Sequence, residues 1–243
     1  MKRYNSKFMS TIIENLRKEL ISNSSEAVQK SSQHFFKEEI RCYGIKNSAL
    51  TAISKSHFKV IKGASKSEIF GYCDELWHSG YLEETIIACN WSYNSCKSYV
   101  PADFMVFERW IDGFVDNWAS CDTFCNHTVG TFIEMYPEFL ADLKRWTRSE
   151  NRWMRRAAAV SLIVPARRGK FLTEIFQIAD LMLPDNDDMV QKGYGWMLKV
   201  ASQSHEQEVF EYVISNKRVM PRTALRYAIE KMPPELKTIA MEK

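Results

Sequence analysis

Ser65-Lys66-Ser67-Glu68-Ile69-Phe70-Gly71-Tyr72-Cys73-Asp74-Glu75-Leu76-Trp77-His78-Ser79-Gly80 carries a helix from its start signal to its stop. Ser65 and Glu68 match a capping box, in which a hydroxyl and a carboxylate satisfy backbone N–H groups that a first turn leaves open. Ile69, Tyr72, Cys73, Leu76 and Trp77 then fall on one face at helical spacing, and the stripe ends near Gly80. A partner stripe follows at once, with Leu82, Ile86, Ile87, Cys89 and Tyr93. The stretch therefore predicts a helix pair joined by a short turn.

The same punctuation recurs outward from it. Upstream, Phe8, Met9, Ile12, Ile13, Leu16 and Leu20 predict an amphipathic helix behind Lys2 and Arg3, not a secretory leader. Downstream, Pro101 suits a first helical turn ahead of Phe104, Phe107, Trp110 and Ile111. Asp116 or Asn117 suits the cap of a helix carrying Trp118, Asp122 and Cys125. Pro137, Pro165, Pro184 and Pro221 mark further breaks between helix-period segments. Seven prolines and nine glycines in 243 residues are too few for a turn-rich β-architecture, and no segment alternates cleanly enough for a strand. Trp77, Trp118, Arg156 and Trp196 follow one another at intervals of 41, 38 and 40 residues, near the period of stacked helix pairs. The expectation is an all-α chain, residues 1–243 forming one domain of stacked antiparallel helix pairs in a curved solenoid.

Composition narrows the function classes. Hydrophobic residues at 45% and charged residues at 26% fit an ordinary soluble chain. No apolar run approaches the roughly 18 residues of a membrane span. Cys42, Cys73, Cys89, Cys96, Cys121 and Cys125 lack zinc-finger spacings. Cys121 and Cys125 lie one helical turn apart with His127 nearby, but a second ligand pair is missing. Free, mostly buried thiols in a reducing cytosol are expected, with no metal. The net charge of +3 selects no partner, but its distribution does. From Lys144 to Lys170 the cations Lys144, Arg145, Arg148, Arg152, Arg155, Arg156, Arg167, Arg168 and Lys170 face Glu150 as the single acid. That concentration, interleaved with Trp146 and Trp153, points to a polyanion such as nucleic acid.

Trp118-Ala119-Ser120-Cys121-Asp122 sets an indole and a carboxylate one turn apart on one helix face. A fixed carboxylate is a poor partner for phosphates. It does suit the positive charge that develops on deoxyribose when an N-glycosidic bond breaks. A base alkylated on a ring nitrogen is already cationic and leaves without being protonated, so one carboxylate suffices. Trp118 and Trp196 would offer faces to that cation, worth about 0.5–2 kcal/mol each. Arg156 would grip a phosphate in a two-pronged contact. The competing reading makes Trp118 a core residue and Asp122 a capping or paired acid.

Four blocks carry a family resemblance: Tyr43-Gly44-Ile45-Lys46, Asn117 to Asp122, Glu150 to Ala158, and Val190 to Leu198. In order and approximate spacing, from about residue 30 to 215, the chain resembles the DNA alkylation repair (AlkD-like) family of HEAT-like-repeat DNA glycosylases. The resemblance implies a HEAT-like helical-repeat solenoid with a concave basic groove. It also implies excision of cationic N3-methyladenine and N7-methylguanine from duplex DNA with neither metal nor cofactor. It carries the catalytic acid onto Asp122, the backbone arginine onto Arg156 and the groove aromatics onto Trp118 and Trp196. Arg148, Arg152, Arg155 and Lys192 fall in or beside the matched blocks as DNA-binding candidates. Two departures stand out. Asn47-Ser48-Ala49-Leu50 follows Lys46 where members often have Thr-Pro and basic residues, and Ala119 stands where some have an acid. The expected protein is a monomeric cytoplasmic glycosylase of the bacterial cytosol or nucleoid, acting on double-stranded DNA with alkylated bases. Its rival is a non-catalytic HEAT-like module binding branched or distorted DNA, and a protein-binding scaffold is a third reading.

Overall fold

The computed structural model describes residues 6–242, with side chains from residue 11 onward, so the expected roles of Phe8 and Met9 lie outside the described residues. Among them every regular element is a helix. None is long and apolar enough to cross a membrane. The chain forms two units, residues 1–100 and 101–243.

The first unit holds α1 (Ser6–Ser22), α2 (Glu26–Gln33), α3 (Asn47–Ile61), α4 (Lys66–His78) and α5 (Leu82–Asn94). The capping box at Ser65 and Glu68 is present, and Ile69, Tyr72, Cys73, Leu76 and Trp77 are all buried against α5. Ile12, Ile13, Leu16 and Leu20 are buried on α1. The α5 stripe differs from the expected one. Leu82 and Ile86 are half-buried and Tyr93 is exposed, whereas Glu83 and Glu84 are buried. Both acids have partners that repay their loss of water. Glu83 accepts the backbone N–H groups of Tyr43, Gly44 and Ile45 at 2.9, 2.8 and 3.1 Å. Glu84 accepts two nitrogens of Arg17 and the Tyr43 hydroxyl at 2.7 Å. Gly44 has φ +77°, and a Cβ there would lie 2.3 Å from the Ser25 carbonyl oxygen, so only glycine makes this turn.

The second unit comprises α6 (Asp103–Phe114), α7 (Trp118–Phe124), α8 (Gly130–Met135), α9 (Leu140–Trp146), α10 (Arg152–Val160), α11 (Ile163–Arg167), α12 (Leu172–Met182), α13 (Asp188–Ala201), α14 (Glu206–Asn216), α15 (Arg222–Ala228) and α16 (Pro234–Met241). Two rows result. In one, α7, α10, α13 and α15 are successive neighbours; in the other, α9 packs on α12. Phe176 of α12 stacks on Tyr212 of α14 at 4.7 Å, which continues the second row. Phe104, Phe107, Trp110, Phe124, Phe132 and Trp146 form an aromatic core beneath α7. Gly195 lets α13 and α15 touch, since a Cβ there would meet the Ala224 carbonyl and Tyr227 Cβ at 2.7 Å. Pro165 does not break a helix. It sits at the third position of α11, where its missing N–H has no intrahelical acceptor to lose.

Asn117, Asn151, Asp187 and Pro221 precede the four row helices, at intervals of 34, 36 and 34 residues. This cap-to-cap spacing is the true period. Trp118, Arg156 and Trp196 are one, five and nine residues past their caps, so each sits one turn further along its helix than the last. The interval near 40 is that diagonal and not the repeat itself, while Trp77 is core.

Replacing Glu83 by Ala should destabilise the protein by at least about 3 kcal/mol, because three backbone donors lose a charged acceptor. Glu83→Gln, which keeps an acceptor oxygen, should lose less. Urea unfolding measures both, and a loss under about 0.5 kcal/mol for the alanine variant would contradict this account.

Candidate functional site

Asn117 has extended backbone, and its side-chain oxygen accepts from Ser120 N at 3.0 Å, which starts α7 so that Trp118 and Asp122 share a face. Asn151 does the same for α10 through Trp153 N at 2.9 Å and so sets the turn that carries Arg156. Asp122 and Arg156 stand at the same place, five residues past their caps, on neighbouring helices. They meet there. Arg156 Nε donates to Asp122 Oδ1 and Nη2 to Oδ2, each at 2.8 Å, in a two-pronged pair. Arg156 Nη1 donates to the Met189 carbonyl of α13, so this guanidinium joins three row helices.

Both charges are nearly out of water: Arg156 keeps 5% of its surface and Asp122 9%. Burial raises the Asp122 carboxyl above the ordinary aspartate value, and the Arg156 hydrogen bonds and charge pull it part of the way back. Arg156 is raised in turn: burial opposes its charge most strongly, but the hydrogen bond to Asp122 and the charge interactions with Asp122, Cys121 and Cys125 together outweigh that. The fork engages two of about four acceptor positions on the carboxylate. Gly193 forms the wall beside Arg156, since a Cβ there would come within 3.2 Å of Arg156 Cγ.

Past Asp122 the helix widens into a π turn, Cys125–Val129, before α8 resumes. Such turns recur at functional positions because they shift the register of the helix by one residue. Gly130 follows it, and a Cβ there would clash with the Ser161 carbonyl at 2.7 Å, so the wide turn and α10 approach closely. Cys121 and Cys125 are fully buried beside the pair, and burial holds the Cys121 thiol well above its ordinary range.

The other candidates fall on the same row. Trp118 and Trp196 are half-buried at opposite ends of the diagonal through Arg156. Arg152 donates to Asp187 at 2.7 Å and Arg155 to Asp185 at 2.7 Å, both from the loop before α13. Lys192 pairs with Asp188 on its own helix at 2.7 Å. Arg148 is exposed and makes no side-chain hydrogen bond or ion pair among the described residues. It borders a surface pocket of about 630 Å³ with Glu108, Asp112, Lys144, Arg145 and Trp146. None of Trp118, Asp122, Arg156 and Trp196 lines that pocket.

The basic segment is thus largely neutralised by acids from elsewhere in the chain. Arg145 meets Glu108 and Asp142, and Arg168 and Lys170 meet Glu134. Arg156, expected to stand open toward phosphate, has its fork on Asp122 instead. Sequence reasoning missed Met189, Gly193, Asp185 and Asp187, although Asp185 and Asp187 occupy the cap region of α13 as visible loop acids.

The family model for "DNA alkylation repair enzyme" matches residues 16–232. A solved structure of a "predicted DNA alkylation repair enzyme from Enterococcus faecalis" shares the fold at a TM-score of 0.77 and 16% identity, covering 87% of this chain and 98% of that one. No curated protein matches the chain in sequence.

The two halves of the pair should respond differently to truncation. Asp122→Ala strands a guanidinium that cannot lose its proton, at about 3–5 kcal/mol. Arg156→Ala strands a carboxyl that can neutralise itself. Its folded pKa then lies above the unfolded value, so stability is fullest at low pH and falls as pH rises through the folded value. Urea unfolding at about pH 7 and about pH 5 should show the Arg156→Ala deficit shrinking on acidification and the Asp122→Ala deficit not shrinking. Equal behaviour would contradict this asymmetry.

Proposed function

The chain belongs to the DNA alkylation repair enzyme family, and we propose that it is a DNA N-glycosylase that frees cationic alkylated purines, such as N3-methyladenine and N7-methylguanine, from duplex DNA. The observation that carries this reading is the Asp122 carboxylate, held at both oxygens by Arg156 while its side chain keeps 13% of its surface. In the proposed step the C1′–N bond breaks and its electron pair leaves with the base, which departs neutral. The sugar is left oxocarbenium-like, and Asp122 stabilises that charge and orients a water for attack at C1′; the water's proton passes to the carboxylate or to solvent.

Arg156 acts here as a positioning residue. Its fork fixes both carboxylate oxygens and keeps the acid ionised in a buried setting. Trp118 and Trp196 supply aromatic faces for the cationic base or sugar. Arg148, Arg152, Arg155 and Lys192 supply phosphate contacts. Most of these are ion-paired in the free protein. The Lys192–Asp188 pair is the most open of these and exchanges its acid for a phosphate most readily, whereas Asp185 and Asp187 are largely buried and hold Arg155 and Arg152 more firmly. On this reading the duplex lies along the row formed by α7, α10, α13 and α15, which carries Trp118, Asp122, Arg156 and Trp196. The protein works inside the cell as a monomer on this reading.

A second reading draws on the same pair: a buried ion pair also serves as a strut between α7 and α10, and the chain would then bind distorted DNA without chemistry. One experiment separates the two. Under single-turnover conditions, wild type should release methylpurines but neither uracil nor hypoxanthine, because a neutral base needs an acid that this row lacks. His205 is turned to the Gly169 carbonyl at 3.1 Å. Asp122→Asn should reduce methylpurine release by more than about a hundredfold, corresponding to roughly 3 kcal/mol of lost charge stabilisation. Its DNA affinity should be retained. Near wild-type release by this variant would remove Asp122 from the mechanism, and release of uracil would reveal an acid elsewhere.

A further inference from the structure

The cap register extends past the candidate site. Five residues beyond the successive caps stand Asp122, Arg156, Lys192 and Arg226, on four helices packed in sequence. Their availability changes in one direction. Asp122 and Arg156 are buried and bind each other; Lys192 is half-buried and held by Asp188; Arg226 is exposed. The Arg226 side chain makes no hydrogen bond or ion pair among the described residues, and neither does that of Arg218 in the turn before α15. Arg222, one helical turn before Arg226, is exposed and touches the Met241 sulfur at 3.4 Å.

No acid lies between Lys217 and Arg226. Two arginines one turn apart repel each other, and nothing on α15 offsets that repulsion. The opposite face of α15, Ala224, Leu225 and Ala228, is buried, so the arginines face outward by construction. The acids of this region sit on α14 instead, where Glu206, Glu208 and Glu211 are exposed. At this end of the unit charge is therefore divided between neighbouring helices: α15 carries Arg222 and Arg226, and α14 carries Glu206, Glu208 and Glu211. Unlike Arg152 and Arg155, these cations need not leave a counter-ion to meet a phosphate.

We propose that Arg222 and Arg226, with Arg218 before them, form a phosphate-binding anchor that grips the duplex on one side of the lesion, away from the Asp122 centre. The proposal rests on the reading of this row as a DNA-binding face. Geometry sets its reach. Three helix spacings of about 8–10 Å separate the two places, or roughly 24–30 Å, which at about 3.4 Å per base pair is about seven to nine base pairs from the lesion. The anchor should matter only to duplexes whose arm extends that far. It should hold DNA without entering the bond-breaking step.

The test uses the full chain and fluorescently labelled duplexes carrying a tetrahydrofuran abasic analogue to mark the lesion position. One has long arms, and two others have a single arm, left or right, cut to about half that reach. Arg222→Ala/Arg226→Ala should bind the long-armed duplex about tenfold more weakly. Its log Kd against log salt should be shallower by about 1.8, or 0.9 per lost contact. Arg222→Lys/Arg226→Lys should recover most of the salt slope. On one of the two shortened duplexes, wild type and double alanine variant should bind alike. Methylpurine release at saturating protein should be unchanged by the substitutions. Unchanged affinity and slope on the long-armed duplex would overturn the anchor, as would a loss that persists on both shortened duplexes. If wild type binds with a steep salt slope and the variant loses it, the anchor stands even where no base is freed, and only the glycosylase reading falls. If base is freed and the variant binds as wild type does, the reverse holds.

Discussion

The Asp122–Arg156 ion pair places two opposite charges at matching positions on neighbouring helices and takes both nearly out of water. A buried guanidinium cannot lose its proton, so it requires an anion wherever the fold holds it. Asp122 meets that requirement with both oxygens, and the Met189 carbonyl takes a further donor. The rest of the row is arranged around this need. Asn117 and Asn151 set the two helices in register, and Gly193 leaves room for the side chain between α10 and α13.

The same pair determines what the carboxylate can do. Left alone, burial would push the acid toward its neutral form, and a neutral carboxyl gives no support to a developing cation. With the arginine bound, the acid is both oriented and restrained from taking up a proton. A buried pair of this kind is weak evidence for stability, since its desolvation offsets much of its attraction. On the proposed reading, its place on the same row of helices as the half-buried Trp118 and Trp196 serves chemistry on a cationic substrate.

Much of this was legible in the residues. The capping box at Ser65, the cap at Asn117 and the stripes of α1 and α4 follow from local physics, and local physics builds these helices. The buried acids of α5 were not legible, because the groups that satisfy them, Arg17 and the Tyr43–Ile45 backbone, lie about 40 or more residues away. The basic run from Lys144 to Lys170 points to the nucleic acid that the family acts on, but it overstates the open charge for the same reason. Its neutralising acids, Glu108, Glu134, Asp185 and Asp187, come from outside the segment, and charge counted along a chain does not see them. The interval near 40 mixed a true repeat of about 35 with a drift of one turn per helix. Only the caps, as fixed points, separate the two. The phosphate role expected for Arg156 gave way to the fork on Asp122, a contact between residues 34 apart that no local pattern announces.

The most direct test of this account is the pH dependence of single-turnover methylpurine release by wild type and Arg156→Gln, with spontaneous loss subtracted. Activity requires the ionised carboxylate, so it should fall as pH drops through the Asp122 pKa. Wild type should lose activity above the ordinary aspartate range because burial raises that pKa. Without the arginine's opposing pull, Arg156→Gln should lose it at a distinctly higher pH and recover at alkaline pH. Superimposable acid limbs for the two proteins would mean that Arg156 does not govern the charge on Asp122, and the central claim would fail.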